Sequence, residues 1–457
     1  MLLAGIGLRL VLAFLVFPGQ GFEGDLDLHT TWLLVLSDFG PGGFYAHTQD
    51  VLPPGFGWLL WPFAILGRFM ESAAGIPLPA SAWALVKAPA LIADVLIALL
   101  LFRVVSRWAS ERAGVLAAAL FLFVPVTWYE SALWGQIDST GSLLVLAALV
   151  ALDLGWSEAA VAAGMAATLI KPQFGVSLIV IALVLAVRHL GVDHRRLAFS
   201  FVAGAVVALL IVLPFDLESR APPELAGVPV VGDAAGLVVI VGQQASKDGV
   251  LVANAFTPWA LVGPNPLPQS GIAHWTGDDL RVLGDTTAFT LGIVLAAVAF
   301  FGGGALVILR PDRPATHLAV VAFLTVALFL LVTRVHERYV YPVFVVAAPL
   351  AAVSLAWRAW YVLVGLATTA NLHAVLVYGG TLGMTGMPFG HDVQTPTAIT
   401  AVALAHGALG VVVVLLVVGG VGGAALARRT LADDRGGTPG PWLQPPRAPT
   451  PSSVPPA

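Results

Sequence analysis

Cysteine is absent from the 457 residues, which removes disulfides, thiolate metal sites and a cysteine nucleophile from consideration. Lysine occurs three times and the net charge is −4, so the chain lacks the basic face that nucleic acid demands. Charge of either sign is scarce. Only 11% of residues are charged, against roughly one quarter in a soluble domain. With 58% hydrophobic residues and a mean hydropathy of +0.91, a water-soluble fold is excluded. What remains are long apolar runs, enough for roughly ten to thirteen membrane spans at about 20 residues each. The expected fold is an all-α integral membrane protein, a multi-span bundle of about twelve transmembrane helices. Residues 1–430 form one polytopic unit, and the Pro-, Gly- and Ser-rich stretch 431–457 reads as a disordered cytoplasmic tail. The apolar start, Met1 to Phe17, carries Arg9 and lacks a small-residue cleavage site, so it reads as a first helix.

Short arginine-bearing loops set sidedness by the positive-inside rule. Arg103 to Arg112, the turn at Trp156, Arg188 to Arg196, Arg310 to Arg313, Arg358 and the tail from Arg428 fall on the cytoplasmic side if the stretch Phe56 to Met70 does not cross. That stretch carries Trp58, Trp61 and Arg68, as an interfacial or re-entrant segment does. Spans are expected near 2–17, 82–102, 113–130, 139–155, 157–171, 173–188, 198–214, 286–309, 316–334, 342–357, 359–378 and 397–425. Two long outer segments, 18–80 and 215–285, are expected to hold short helices.

On this topology six polar clusters lie on the outer side. They are Gly24-Asp25-Leu26-Asp27, Asp50 before Pro53-Pro54-Gly55, Trp134-Gly135-Gln136-Ile137-Asp138, Lys171-Pro172-Gln173, Asn254-Ala255-Phe256, and His336-Glu337-Arg338-Tyr339. Ionisable groups in or beside spans are expensive and mark cavities or helix ends. Each cluster also has a plainer reading. Asp25 and Asp27 suit a helix N-cap, Asp138 a capping turn, Lys171 a snorkelling anchor, and the His336 cluster a salt-bridge knot. The sharper readings rest on charge: Pro172 frees backbone donors beside a lysine, and Arg334, His336 and Arg338 outnumber Glu337, so an anionic ligand is expected. Lys87 and Asp94, seven residues apart, are too distant to pair along one helix, and Lys87 is expected to add to the same cationic field.

The order of these motifs resembles bacterial relatives of the GPI mannosyltransferase II family, over about Leu2 to Arg358. Gly24-Asp25 with Trp32, Gly43-Phe44-Tyr45, Asp50 before Pro53-Pro54-Gly55, Trp-Gly-Gln-Ile-Asp, Lys-Pro-Gln, Asn-Ala-Phe and His-Glu-Arg-Tyr carry the likeness. The tyrosine common before the family's Pro-Pro-Gly is missing here. The resemblance implies a C-type glycosyltransferase fold with a long first outer loop, and transfer of a hexose, mannose by the family's habit, from a polyprenyl-phosphate sugar. It implies a general base on the first outer loop, at Asp25 with Asp27 as runner-up. Lys171, His336 and Arg338 are then the candidates for the donor phosphate. Asp50, Gln136, Asp138, Gln173, Asn254, Glu337 and Tyr339 are expected to bind substrate or support the site. No cofactor and no metal are expected, because a monophosphate leaving group can be neutralised by lysine and arginine. The expected partners are the lipid-linked sugar, a glycan or glycolipid acceptor and membrane lipid, at an extracytoplasmic active site of a multi-pass cell-membrane protein. The rival reading is a polytopic transporter or lipid-linked glycan flippase, which would place binding groups at the midplane in two related halves. No second copy of the motifs is present.

Overall fold

Apolar runs that exclude water leave the backbone no partner but itself, and helix results. The computed structural model describes residues 1–49, 52–246, 249–262, 276–377 and 395–433, the side chains of 421–433 excepted. In chain order the α-helices are α1 (Leu2–Leu10), α2 (Glu23–His47), α3 (Gly55–Ala74), α4 (Leu78–Trp108), α5 (Glu111–Phe123), α6 (Pro125–Trp128), α7 (Asp138–Asp153), α8 (Ser157–Ile170), α9 (Gly175–His189), α10 (His194–Val212), α11 (Val231–Ser246), α12 (Ala288–Leu309), α13 (Pro314–Leu331), α14 (Val343–Val346), α15 (Ala348–Val353), α16 (Leu355–Leu376) and α17 (Pro396–Asp433). A two-stranded antiparallel hairpin, β1 (Arg281–Leu283) with β2 (Thr286–Thr287), precedes α12.

Among the described residues seven helices are long and apolar enough to cross a membrane: α4, the Pro172–His189 run, the His194–Phe215 run, α12, α13, α16 and Pro396–Gly420 of α17. The segments Glu111–Phe123 and Pro125–Trp134, bent by 54°, would make an eighth as one broken span. The chain is thus a multi-pass helical membrane protein. Seven of the expected spans coincide with these helices, and the other five fall on bent or shorter ones.

The first outer segment holds longer helices than expected. α2 runs 25 residues with a kink at Gly40 ahead of Pro41, and α3 runs 20. α3 covers the stretch Phe56 to Met70 but is not apolar enough to rank among the seven, and it ends on Arg68, Glu71 and a left-handed Gly75. Its first residue explains a close approach: a Cβ at Gly55 would meet the Leu169 carbonyl oxygen at 2.6 Å, so only glycine lets α3 seat on the last turn of α8. The expected tail, from residue 434 onward, lies outside the described residues, as does Asp50.

α7 gives the bundle its polarity. Its C-terminal end is the basic one: Arg188 donates to the Leu152 and Pro311 carbonyls and pairs with Asp312, and Arg196 donates to the Gly155 carbonyl. At its N-terminal end stands Asp138, where the motif residues gather. The loops that carry Arg188 and Arg196 and the motif residues around Asp138 therefore lie at opposite ends of α7.

Candidate functional site

Four stretches far apart in sequence meet at that second end. The π-helix Tyr129–Trp134 closes on Gly135, whose φ of +86° lies in the left-handed region that glycine favours. This turn aims two consecutive polar groups at α2: Trp134 Nε1–H and Gln136 Nε2–H both donate to Asp25 Oδ2, at 2.7 and 2.6 Å. One helical turn on, His29 faces the Gly135 carbonyl at 3.4 Å and packs its ring against Trp32 and Phe56. Asp27 points away and is exposed. The two candidate bases are thus separated by their surroundings: one is gripped within the site and the other faces solvent.

Pro172 ends α8, as its sequence position requires, and leaves Lys171 extended and buried. Its ammonium donates to Asp138 Oδ1 and Oδ2 at 3.1 and 2.9 Å and to Gln136 Oε1 at 3.0 Å. Gln173 adds a bond to Asp138 Oδ1 at 3.2 Å. Asp138 opens α7, where the helix dipole favours a carboxylate. Lys171 is therefore no snorkelling anchor. It is a buried cation whose three N–H groups already have acceptors, and Gln136 is the hinge between it and Asp25.

The segment after α13 supplies the remaining charge. Arg338 Nη1 lies 2.7 Å from Glu337 Oε1 and 3.5 Å from Asp25 Oδ2, with its guanidinium 5.7 Å from the Trp134 ring centre. His336 Nδ1 is 3.9 Å from Glu337 Oε2, and the His336 and Tyr339 rings touch at 5.3 Å. Asn254, itself left-handed at φ +68°, pairs through its backbone with His336 and offers its carbonyl to Asn371 Nδ2 at 2.9 Å. Arg334 does not add to the excess positive charge expected here, because Asp278 takes it. Nor does Lys87 point its charge at a carboxylate: its ammonium donates to the Gln20, Ala132 and Leu133 carbonyls at 2.6, 2.9 and 3.2 Å.

Burial alone would raise the pKa of Asp25, but the Arg338 guanidinium, His29, Trp134 Nε1–H and Gln136 Nε2–H outweigh it and hold this carboxyl well below the usual range. Burial pushes the His29 imidazole down to about 4 despite the pull of Asp25, so the ring is neutral at neutral pH. Arg338 stays charged: burial opposes its charge, and Asp25, Glu337, Asp138 and Glu130 more than restore it.

One group escaped the sequence reading, and one was read without its partner. Glu130, fully buried on the π-helix, has no hydrogen-bond partner on either carboxylate oxygen among the described residues, and it lies in the field of Asp138, Arg338, Lys171 and Glu337. The only signal for it in the sequence is a carboxylate inside an apolar run. Beneath it, Asp94 binds Arg9 Nε at 2.5 Å, Ser131 Oγ at 2.6 Å and the Tyr341 hydroxyl at 3.3 Å. Among the described residues no group of three or more His, Asp or Glu is arranged to hold a metal ion. An apolar cavity of about 370 Å³ lies between α12, α13 and α17, lined by Trp259, Leu295, Phe323, Leu330 and Val414, with Trp259 donating to the Leu331 carbonyl at 2.8 Å.

No protein-family model matches the chain, and no curated protein matches it. Among solved structures it is similar to ArnT from Cupriavidus metallidurans bound to undecaprenyl phosphate, at 16% identity and TM-score 0.44, over 94% of this chain and 79% of that one. It is also similar to the apo oligosaccharyltransferase of Archaeoglobus fulgidus, at 14% identity and TM-score 0.44, over 89% of this chain and 55% of that one. These likenesses are distant, and function rests on the site itself.

Proposed function

We propose that the chain is a membrane glycosyltransferase that moves a hexose, by the motif resemblance mannose, from a polyprenyl-phosphate sugar to an acceptor hydroxyl on the extracytoplasmic side. One observation carries this reading: a carboxylate kept ionised, Asp25, lies 3.5 Å from a guanidinium, Arg338, at a single end of a helical bundle. A base beside a cation is what alcoholysis of a glycosyl phosphate needs. The acceptor oxygen forms its bond to the anomeric carbon as the bond from that carbon to the phosphate oxygen breaks. Asp25 takes the hydroxyl proton, and polyprenyl phosphate leaves from the opposite face with inversion. A positioned base of this kind contributes typically about 10²–10⁴-fold.

Arg338 and His336 meet the charge that develops on the leaving phosphate, where preorganised cations act most strongly. Lys171 adds its charge to the same field, while its bonds to Asp138 and Gln136 fix the amide that orients Asp25. Glu337 and Tyr339 hold Arg338 and His336, Gln173 steadies Asp138, and Asn254 fixes the backbone of His336. The apolar cavity suits part of a polyprenyl chain, because its lining includes Leu330 and Leu331, the end of the helix that leads into the Arg338 segment. No metal enters this scheme, so chelation should leave transfer unchanged.

The test is to incubate membranes with a panel of labelled polyprenyl-phosphate sugars and identify the glycosylated product. Transfer that disappears in Asp25→Asn membranes and persists in Asp27→Asn membranes supports the assignment. Failure of every donor in the panel would return the chain to the transporter reading.

A further inference from the structure

Away from the reacting groups, the second outer segment is tied to the Arg338 loop by an unusually dense knot. The backbone at 249–254 is stitched on one side to 276–278, through Leu251 N to the Thr276 carbonyl at 2.8 Å and Asp278 N to the Gly249 carbonyl at 3.1 Å. On the other side it is stitched to 334–336, through Arg334 N to the Val250 carbonyl at 3.1 Å and Ala253 N to the Val335 carbonyl at 2.9 Å. At the centre sits Asp278, 4% exposed. Its Oδ2 accepts from Thr333 Oγ1 at 2.8 Å and Arg334 Nε at 2.6 Å, and its Oδ1 accepts from Arg334 Nη2 at 3.2 Å. The Arg334 guanidinium also lies 4.4 Å from the Phe289 ring centre, and Nη1 donates to the Ala245 carbonyl at 3.0 Å.

Arg334 itself has φ +65°, a conformation that side-chain-bearing residues adopt only when their surroundings impose it. A forked arginine gripped at two nitrogens by one carboxylate is a geometrically specific constraint of that kind. Four residues later the chain reaches Arg338, beside Asp25.

We infer that Asp278 is a positioning residue for the transfer reaction, holding Arg334 in its left-handed conformation so that Arg338 is delivered to Asp25. Asp278 touches neither Asp25 nor Arg338, so its action is through the backbone of 334–338. The inference rests on the glycosyltransferase reading for its catalytic consequence, but not for its structural one.

The experiment uses purified full-length protein and the variants Asp278→Asn, Arg334→Gln, their combination, Asp278→Glu and the control Asp25→Asn. Amide hydrogen exchange over 333–339 is expected to rise at least about tenfold in Asp278→Asn with the helices still protected. Loss of placement by about an ångström lowers kcat by up to about 10²-fold, with KM for the acceptor unchanged, and the double variant is no worse than either single one. Because Arg338 is one of the groups that hold Asp25 ionised, together with the Trp134 and Gln136 donors, the acid limb of the pH–rate profile moves to higher pH. A smaller folded fraction would not move that limb. Asp278→Glu recovers part of kcat. Wild-type exchange over 333–339 in Asp278→Asn overturns the inference whatever the activity, and wild-type kcat with Asp25→Asn inactive overturns its catalytic part. If no donor is turned over by the wild-type protein, the function reading fails and exchange alone decides the clamp. Should Asp278→Asn not fold, Thr333→Val, which removes one bond of the knot, takes its place in the same measurements.

Discussion

Two buried ion pairs lie within this bundle, and the polar groups around them are matched to different degrees. In the lower pair, Arg9 and Asp94 have side chains 2% and 0% exposed. Arg9 also donates to the Gly5 and Leu122 carbonyls and to Thr127, and Asp94 accepts from Ser131 and Tyr341. The upper pair, Lys171 with Asp138, is equally buried, yet polar atoms around it go unmatched among the described residues: both Glu130 oxygens, Glu337 Oε2 and Arg338 Nε. Folding accounts for the lower pair entirely, since a buried charge demands partners. An unmatched buried polar atom is costly, so a partner from water or a ligand would be worth most at this upper end.

That contrast can be broken in order of effect. Asp25→Asn should lower transfer by about 10²–10⁴-fold while thermal unfolding in detergent stays near wild type; a large fall in stability would place Asp25 with the scaffold. Asp94→Ala should do the reverse, with a stability loss of about 3–5 kcal/mol because Arg9 is left buried and unpaired. Replacing both Arg9 and Asp94 by leucine should recover most of that loss, and failure to recover would show that the pair does more than satisfy itself. Gly55→Ala is expected to cost about 1–3 kcal/mol through overpacking on the Leu169 backbone, measured by the same unfolding assay, with a fall in transfer because Lys171 follows two residues later. The smallest effect is a shift in pH dependence. Gln136→Ala removes a donor that favours the ionised form of Asp25, so its pKa rises, the base form appears only at higher pH, and the acid limb of the pH–rate profile moves upward. A limb that stays in place would remove Gln136 from the control of Asp25.

The sequence announced the upper cluster far better than the lower one. Asp25, Gln136, Asp138, Lys171 and Arg338 sit in short polar motifs that interrupt apolar runs, and interruption is visible without coordinates. Pro172 likewise declared its helix break. Partnership was not visible. Asp94 was compared with Lys87 because both lie on α4, yet its cation comes from α1, 85 residues earlier. Arg334 looked like free positive charge because its carboxylate is 56 residues away. Glu130 has no motif to announce it, and its meaning comes only from what fails to touch it. The helices were legible from hydropathy, but in the outer segment 18–80 only short ones were expected, because the polar first turn of α2 and its Gly40-Pro41 kink hide its 25-residue length.

The π-helix at Tyr129–Trp134 has one more consequence, in genetic terms. A π-turn is an α-helix carrying one inserted residue, and each residue turns the chain by about 100°. Deleting a single codon within 129–133 would restore a regular helix and swing Trp134 and Gln136 off Asp25, with every motif letter intact but the Asp25 carboxylate unheld. A relative carrying that deletion is expected to keep the helical bundle and, on the proposed function, to lack transfer.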